Sequence, residues 1–413
     1  MNNDAHIRDA PASSTLSLGA RLREVATAFL KLGCVSFGGP VAHLGYFHNE
    51  FVVKRRWLSE EAYGDLVALC QFLPGPASSQ TVFGLGMGRA GLGGAVLATF
   101  CFTLPSAVLM ILFAYGVASM GDLGGAGWLH GLKLAAVAVV AQAVWGMGKK
   151  LCPDASRIVL ALVAAGVVLV TAQAWMQIVV ILGGALAGWL LYRRESMGAA
   201  AQTSRAAKLS GPHAWALATL GVFVLLLLVL PLLAQTTGQR AFAMADGFYR
   251  AGSLVFGGGH VVLPLIHAEV VTPGWVTNDV FLAGYGAAQA VPGPLFTFAG
   301  YLGVAIDGGP HAWLSGVGCL LTLFLPGWLL VGGALPFWQL LRGKNWMQAA
   351  LRGANAAVVG LLLAALYHPV GTSGVKDVTD LAVALGAFAL LEFARAPSWL
   401  VVALAAGAGQ WLL

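Results

Sequence analysis

The chain has 413 residues and a formal net charge of +6. It is 58% hydrophobic and only 10% charged, whereas soluble domains carry about 25% charged residues, so a water-soluble globular protein is excluded. The basic residues form short clusters between apolar segments, as the positive-inside rule predicts for a membrane protein, and no nucleic acid partner is indicated.

The apolar segments predict an all-α, polytopic membrane protein, because each approaches the roughly 20 residues that cross a bilayer as a helix. Residues 1–20 are polar and lack the apolar core of a cleaved signal. Shorter segments ahead of Lys54 and between Ala62 and Gly86 are predicted to be re-entrant, turning back at Gly and Pro. The clearest spans are Ala95–Tyr115, Leu132–Met147, Ile158–Val170, Ile178–Leu191, Ala214–Ala234, Leu320–Leu335, Ala356–Tyr367, Leu381–Leu391 and Leu400–Leu413.

Two short motifs occur twice in the same order. Phe-Gly-Gly begins at Phe37 and again at Phe256, 219 positions later (256 − 37). Gln-x-x-Pro-Gly-Pro begins at Gln71 and again at Gln289, 218 positions later (289 − 71). The chain is therefore predicted to be a duplicated unit. In a membrane protein, such paired Gly/Pro interruptions indicate a transport site near the middle of the bilayer.

The charged loops predict that the two units have opposite orientations in the membrane. Basic clusters such as Lys149-Lys150 separate the segments of the first unit, whereas the loop Gly121–Gly127, which has no basic residue, corresponds to the basic loop Leu341–Lys344 of the second. A swap of charge between equivalent loops is typical of inverted repeats. The predicted domains are a polar N-terminal segment (1–20), a first repeat (21–192), a linker with an extra transmembrane helix (193–240) and a second repeat (241–413).

Each motif breaks an apolar helix, which predicts helix starts inside the protein. Pro40 and Pro76 are placed as first helical residues, where a missing N–H is tolerated. Because helix N-termini bind oxyanions through backbone N–H groups, up to four starts are predicted to form one site for a small anion, cradled by the N–H groups that follow Gly39, Gly75, Gly258 and Gly293. The substrate-binding candidates are Phe37, Gly38, Gly39, Pro40, Gln71, Pro74, Gly75, Pro76, Ser78, Ser79, Gly257, Gly258, Gly259, His260, Gln289, Pro292, Gly293 and Pro294.

Other interpretations of the same residues stay open at this point. A Pro-Gly-Pro break is also typical of a helix kink that binds nothing. Gln71 and Gln289 lie in apolar surroundings, where an amide either lines a site or holds helices together. Five ionisable residues near the motifs act either in coupling and gating or as anchors at the membrane surface. They are Lys31, Glu50, Arg89, Arg250 and Glu269.

Enzymatic chemistry is not indicated. The chain has no G-x-x-x-x-G-K-[ST] motif and no dense His/Cys cluster, so neither a nucleotide site nor a metal site is predicted, and no cofactor is expected. The five cysteines form no C-x-x-C pair and are expected to be small core residues.

The motif segments resemble the chromate ion transporter family, in its two-domain, long-chain form. The resemblance is carried by FLKLGCVSFGGPVAHLGYFHNEF and QFLPGPASSQ in the first half, and by FYRAGSLVFGGGHVVLPLIHAEV and QAVPGP in the second. One departure is that Gly259 stands where the first half has Pro40. By the resemblance, the functional residues include the motif residues of both halves, together with Glu50 and Trp57.

The resemblance implies a multi-pass transporter of the bacterial inner membrane that exports chromate and confers chromate resistance, with sulfate as a competitor. The oligomeric state stays open, a homodimer included. A dianion that leaves an inside-negative cell gains about 4.6 kcal/mol per 100 mV, so the membrane potential or the proton motive force suffices without ATP. The alternatives are an importer or exchanger of sulfate or a related oxyanion, and a membrane-embedded enzyme.

Overall fold

The computed structural model describes residues 16–120, 127–171, 174–193, 214–256, 259–338 and 344–412. Within these ranges the chain forms helices and connecting turns, without a β-strand. The polar start of the chain, most of the linker between the halves, and most of the two loops whose charges were compared lie outside the described residues.

The first half contains α1 (Leu18–Val35), α2 (Gly39–Phe47), α3 (Glu60–Phe72), α4 (Ala77–Ser119), α5 (Gly127–Leu151), α6 (Ala155–Val170) and α7 (Ala174–Tyr192). A further helix, α8 (Ala214–Thr237), joins the halves. The second half contains α9 (Arg240–Ser253), α10 (Val262–Val270), α11 (Asn278–Ala288), α12 (Phe298–Asp307), α13 (Ala312–Ala334), α14 (Asn345–Ala365), α15 (Val378–Glu392) and α16 (Ser398–Leu412).

The same local signals start equivalent helices in the two halves. The side chains of Ser59 and Thr277 each accept a hydrogen bond from the N–H three residues further on, at the starts of α3 and α11. Asp154 and Asp377 cap α6 and α15 in the same way. Such caps satisfy N–H groups that a helix start leaves free, so helix boundaries that lie far apart in the chain are encoded locally.

α4 is a helical hairpin rather than one long span. Ala90 (φ −142°) and Gly91 (φ 65°) leave the helical conformation and divide it into α4a (77–89) and α4b (92–119). The two arms touch where Gly86 faces Gly94, since a Cβ at either glycine would collide with the other's backbone. In the second half α12 and α13 form the equivalent hairpin around Gly308, which has φ 70°. At about 20 Å each, α3 and α4a have the length of half spans.

The prediction of an all-α, polytopic membrane protein is confirmed. By length and composition, six helical segments could cross a membrane: Ala77–Ser119, Gly127–Leu151, Trp175–Tyr192, Ala214–Thr237, Ala312–Phe337 and Asn345–Gly374. α8 is the most exposed of them, and large apolar side chains such as Leu225 and Leu228 point outward from it. The expectation that all cysteines are core residues is wrong for one of them, because Cys34 is exposed.

The two halves are interlocked rather than packed side by side. α5 of the first half packs against α15 and α16, and its equivalent α14 packs against α6 and α7. Glycines allow both contacts: a Cβ at Gly131 would meet the carbonyl of Ala405, and a Cβ at Gly353 would meet that of Gly184. Small residues let membrane helices approach closely in this way. The exchange is reciprocal, as expected for two repeats related by a pseudo-twofold axis.

The basic ends of α5 and α7 carry paired interfacial anchors. The Lys149 ammonium lies 4.3 Å from the ring centroid of Trp145, and the Arg193 guanidinium lies 5.4 Å from that of Trp189. The end of α7 also meets the start of α6, where the Tyr192 hydroxyl is 2.8 Å from Ser156 Oγ. Trp and basic residues are enriched at membrane surfaces, so these helix ends mark one surface of the bilayer.

Between equivalent points of the two halves the chain passes through α4b, α5, α6, α7 and α8. If all five helices cross the membrane, the number of crossings is odd. The start of the second half then lies on the opposite side of the membrane from the start of the first. We therefore expect Ser17 and Lys149 on the cytoplasmic side and Gln410 on the other. Single cysteines at these three positions, in a Cys34→Ser background, are labelled with an impermeant maleimide in right-side-out and inverted vesicles. Ser17 and Gln410 labelling from the same side would contradict the inverted topology.

The glycine contacts between the halves should be sensitive to a single methyl group. Gly131→Ala forces α5 away from Ala405 and should cost about 2 kcal/mol or more, as overpacking does. Gly146→Ala on the same helix meets open space and should be neutral or slightly stabilising, because alanine favours helix by up to ~1 kcal/mol. Thermal unfolding of both variants in detergent compares them directly. Equal melting temperatures would show that the Gly131 contact is not close.

Candidate functional site

The Phe-Gly-Gly motif separates α1 from α2 by a left-handed turn. α1 ends at Val35, and Gly38 (φ 96°) and Gly39 (φ 77°) adopt conformations that glycine tolerates best. α2 then begins at Gly39, so Pro40 is its second residue, one position later than predicted. Phe37 is half-buried beside the turn. The second-half glycines Gly257 and Gly258 lie outside the described residues.

The Pro-Gly-Pro motifs form equivalent turns ahead of α4a and α12. Gly75 has φ 126° and Gly293 has φ 101°. Pro76 is the N-cap of α4 rather than its first residue as predicted, and Pro294 has the same place before the 3₁₀ turn that leads into α12. Each helix thus starts deep in the protein directly after a proline.

Each Pro-Gly-Pro turn is hydrogen-bonded to the helix break of the other half. The N–H of Gly293 donates to the carbonyl of Ser36 (2.8 Å), and the N–H of Gly75 donates to the carbonyl of Val255 (2.7 Å). The two acceptors are equivalent, 219 positions apart (255 − 36), and each follows the end of the first helix of its repeat. Each half therefore supplies one acceptor, at its helix break, and one donor, at its Pro-Gly-Pro turn, and both bond to the other half. We call these two hydrogen bonds the reciprocal clamps.

The clamps correct one prediction about the site. The residues that follow Gly39, Gly75 and Gly293 are prolines, which have no N–H, and the N–H groups of Gly75 and Gly293 themselves are already bonded. The N–H groups that stay free lie further on, in the first turns of the helices.

The departure between the halves at Pro40 and Gly259 has a steric cause. The two equivalent residues meet each other, and a Cβ built at Gly259 would lie 3.1 Å from Cγ of Pro40. Two prolines would not fit there without displacement, whereas one proline against one glycine does. This contact brings the helix breaks of the two halves together.

The start of α4a is buried and uncapped. Pro76 supplies no side-chain cap, and no acceptor for the N–H groups of Ala77, Ser78 and Ser79 occurs among the described residues. The Oγ of Ser79, whose residue is 1% exposed, has no hydrogen-bond partner in this part of the chain either. Free N–H groups and a partial positive charge at a buried helix start are the features that bind anions.

The equivalent turn of the second half is apolar. Leu295, Phe296 and Phe298 stand where the first half has Ala77, Ser78 and Gln80. Thr297 matches Ser79, but its hydroxyl is satisfied by the carbonyl of Pro294 (2.8 Å). Among these equivalent positions, buried side-chain atoms without partners therefore occur only in the first half, at Ser79 and Gln80.

Further buried polar atoms lack partners among the described residues. Gln289 Nε2 and Ser36 Oγ are two of them, and Thr103 Oγ1 on α4b is a third. His43 was not among the predicted residues. Its Nε2 lies 3.1 Å from the Ser36 carbonyl, so Nε2 carries the proton, and Nδ1 faces no partner. An ionisable residue in an otherwise apolar segment could have pointed to His43 from the sequence.

The other predicted binding residues have varied places. Gln71 is exposed, whereas its equivalent Gln289 is half-buried. The carbonyl of Pro74 accepts a hydrogen bond from Gln80 Nε2 (2.8 Å), and Pro292 is half-buried in the opposite turn. His260 Nδ1 is 2.9 Å from the hydroxyl of Tyr285, so this ring is held by α11.

Four of the five coupling candidates, all except Lys31, form ion pairs. Arg89 Nε lies 3.1 Å from Glu24, and Arg250 joins Glu269 at 2.7 Å. Lys31 is exposed on α1. Arg89 lies twelve residues beyond the start of α4a (89 − 77), or about 18 Å along the helix, so the Arg89 charge is not brought to the uncapped helix start.

Glu50 is the clearest of these pairs. It lies 2.7 Å from Arg55 and 3.7 Å from Lys54. Burial tends to raise the pKa of the Glu50 carboxyl, but the Arg55 hydrogen bond and the neighbouring positive charges outweigh it and hold the pKa below its usual value. The side chain is therefore ionised at neutral pH, as a structural ion pair requires.

Comparison with known proteins places the chain among transporters. A family model described as "Chromate transporter" matches it twice, over residues 23–189 and 242–410. The chain is 30% identical to the chromate transport protein of Pseudomonas aeruginosa over 399 residues, which cover 93% of this chain and 91% of that protein. It is 27% identical to the chromate transport protein of Cupriavidus metallidurans, over 93% of this chain and 92% of that one.

The chain is also 28% identical to the probable chromate transport protein of Synechococcus elongatus, over 94% of this chain and 95% of that protein. No solved structure matches it. The family match spans both halves of the chain.

Adding one methyl group at Gly75, which donates one of the two reciprocal clamps, should destabilise the protein. A Cβ at Gly75 would lie 2.7 Å from Gln80 Nε2 and 3.0 Å from Gly327 Cα, in addition to the strain of a positive φ. We expect Gly75→Ala to cost about 3 kcal/mol. Gly39→Ala is the matched control, because Gly39 also has a positive φ but a Cβ there meets nothing within 4 Å, and about 1 kcal/mol is expected.

Thermal unfolding of the two variants in detergent, monitored by size-exclusion chromatography, measures this difference in stability. If Gly39→Ala lowers the stability as much as Gly75→Ala does, the positive φ alone explains the effect, and the close contacts at Gly75 do not contribute.

Proposed function

Because the chain belongs to the chromate transporter family, we propose that it exports chromate across a bacterial inner membrane and thereby confers resistance to it. The proposal includes the direction, the driving force and the binding residues. The protein's place in a membrane as a multi-pass chain follows from its apolar helices.

The observation that carries the proposal is the uncapped start of α4a. The N–H groups of Ala77, Ser78 and Ser79 point out of the helix without acceptors in the described structure, and Ser79 Oγ is buried beside them. Leaving such groups without partners costs about 1–3 kcal/mol each. A tetrahedral oxyanion offers several acceptors at once, so binding one would satisfy the whole set.

The site would bind its anion with dipoles rather than with charged side chains. The donors are backbone N–H groups, a serine hydroxyl and, from the second half, the Gln289 amide, whose Nε2 also lacks a partner among the described residues. A neutral site binds an anion less tightly than an arginine would. Moderate affinity suits transport, because the ion must leave again.

The membrane potential supports export as the direction. Each negative charge that leaves an inside-negative cell gains about 2.3 kcal/mol per 100 mV, equivalent to more than a tenfold concentration ratio. An importer of sulfate or a related oxyanion would need coupled cations and ionisable groups that bind them. The candidates for that role, Glu50 and Glu269, are held in ion pairs with arginines, which favours export.

Chromate flux in membrane vesicles tests the direction. Inverted vesicles that contain the protein should accumulate chromate when the interior is made positive, and the rate should fall when the potential is collapsed while the pH gradient is kept. Vesicles without the protein are the control. Accumulation only in right-side-out vesicles, with an inside-negative potential, would instead establish uptake.

Removing one donor tests the binding site. Ser79→Ala should weaken chromate transport by about 1–2 kcal/mol, or roughly tenfold in apparent KM, because one hydrogen bond to a charged group is lost. Thr81→Val is the matched control, since the Thr81 hydroxyl is already bonded to the carbonyl of Ala77 in its own helix (2.8 Å). Unchanged KM in Ser79→Ala would move the site away from the start of α4a.

A further inference from the structure

We propose that the basic ends of α5 and α7, together with the start of α6, bind the phosphate group of an anionic phospholipid. The site lies where these helix ends mark one surface of the bilayer. It is separate from the uncapped start of α4a, and the inference does not depend on the transport of chromate.

Two cations at these helix ends are held by aromatic rings alone. The Lys149 ammonium lies over the ring of Trp145 (4.3 Å), and the Arg193 guanidinium lies over that of Trp189 (5.4 Å). Neither cation, nor the exposed Lys150, has a carboxylate within ion-pair distance in the described part of the chain. Three other cations also lie over aromatic rings, but each of those is paired with a carboxylate. They are Arg55, Arg89 and Arg157.

The ends of α5 and α7 meet at the start of α6. The Tyr192 hydroxyl, at the end of α7, is 2.8 Å from Ser156 Oγ, and the Arg157 guanidinium lies 5.7 Å from the centroid of the Tyr192 ring. Asp154, the N-cap of α6, follows Lys150 by four residues (154 − 150), a stretch that spans at most about 14 Å. The three helix ends therefore form one continuous surface.

This surface has an excess of positive charge. Within residues 145–160 and 185–193, Asp154 is the only acidic residue. Its carboxylate accepts hydrogen bonds from Arg157 Nε (2.6 Å) and from Ser156 Oγ (2.6 Å), so Asp154 and Arg157 neutralise each other. The charges of Lys149, Lys150 and Arg193 are left to a ligand, and their N–H groups can donate to phosphate oxygens.

The aromatic partners favour a lipid over a soluble anion. Trp145 and Trp189 are 46% and 36% exposed. Tryptophan is enriched at the level of the lipid headgroups, because its ring suits the boundary between hydrocarbon and water. A cation held over such a ring is therefore presented at the depth of the lipid phosphates. Basic pockets between membrane helices are known to bind anionic headgroups.

The equivalent helix end of the second half lacks this arrangement. The counterpart of Lys149 is His368 (368 − 149 = 219), and the counterpart of Trp145 is Ala364 (364 − 145 = 219). The pair is thus found on the surface that we expect to face the cytoplasm. Anionic lipids give that leaflet a negative surface potential, so the charges of the lipid and of the protein are complementary there.

Lipid binding by the wild-type protein tests the proposal. The purified protein in detergent is titrated with phosphatidylglycerol or with phosphatidylcholine of the same acyl chains, and the rise in melting temperature gives the half-saturating concentration. We expect this concentration to be at least tenfold lower for phosphatidylglycerol, and to increase with added salt, which screens exposed charges. Equal concentrations for the two lipids would overturn the proposal. Equal stabilisation by inorganic phosphate would do so too, by showing a site for free anions.

Removing the two ring-held cations tests the location. Lys149→Gln combined with Arg193→Gln should reduce the preference for phosphatidylglycerol to about threefold or less, since a cation near the membrane surface contributes roughly fivefold to binding. The matched control is Lys344→Gln with Arg395→Gln. These two exposed cations are expected on the same membrane surface, at the start of α14 and after α15, and their loss should leave the preference unchanged. An equal loss in both double variants, or none in the first, would contradict the location.

Removing the rings while keeping the charges tests how the cations are held. Trp145→Leu combined with Trp189→Leu should lower the preference about threefold, because the cations are no longer held over a ring at headgroup depth. An unchanged preference would show that any exposed charge on this surface binds the lipid equally well, and the proposed site would fall.

The outcomes are independent of the proposed export. None of these measurements uses chromate, so a protein without lipid preference overturns this inference and leaves export standing. A protein that binds phosphatidylglycerol as expected but moves no chromate has the opposite meaning. If a double variant does not insert into the membrane, the lipid titration of the wild type decides alone.

Discussion

The structure depends on the pair of reciprocal clamps, in which the Pro-Gly-Pro turn of each half donates one backbone hydrogen bond to the helix break of the other. A broken helix inside a membrane protein leaves N–H and C=O groups that lipid cannot satisfy. Here the carbonyls of Ser36 and Val255 are satisfied by Gly293 and Gly75. Each half thus stabilises the irregular backbone of the other, and neither break is complete without its partner.

The two halves have diverged where they meet. Pro40 against Gly259 fills a space that two prolines would overfill, and the buried amide of Gln80 has Phe298 as its counterpart. The two clamps are equivalent in the two halves, whereas Ser79 and Gln80, whose buried side-chain oxygens lack partners among the described residues, belong to the first half. For the proposed anion site one set of donors suffices, so the two repeats can share a backbone frame while their side chains differ.

The sequence predicts what is local and leaves open what depends on distant contacts. The repeat, the helical class and the breaks at Gly38, Gly75 and Gly293 follow from residue type, because positive φ and proline have local causes. The clamps do not follow, since any residue at Ser36 or Val255 would supply the same carbonyl. The partner of Gln80 at Gly327 is 247 residues away, and therefore only the fold shows this contact.

The exchange of helices between the halves also sets an order for biogenesis. The surface of α5 at Gly131 is covered by Ala405, a residue made 274 positions later (405 − 131). At 5–20 residues per second, ribosomes need roughly 15 to 55 s to reach it. During that time the first half lies in the bilayer with a groove of small residues open to lipid. Assembly therefore finishes only after α16 has been synthesised, because α16 covers the exposed surface of α5.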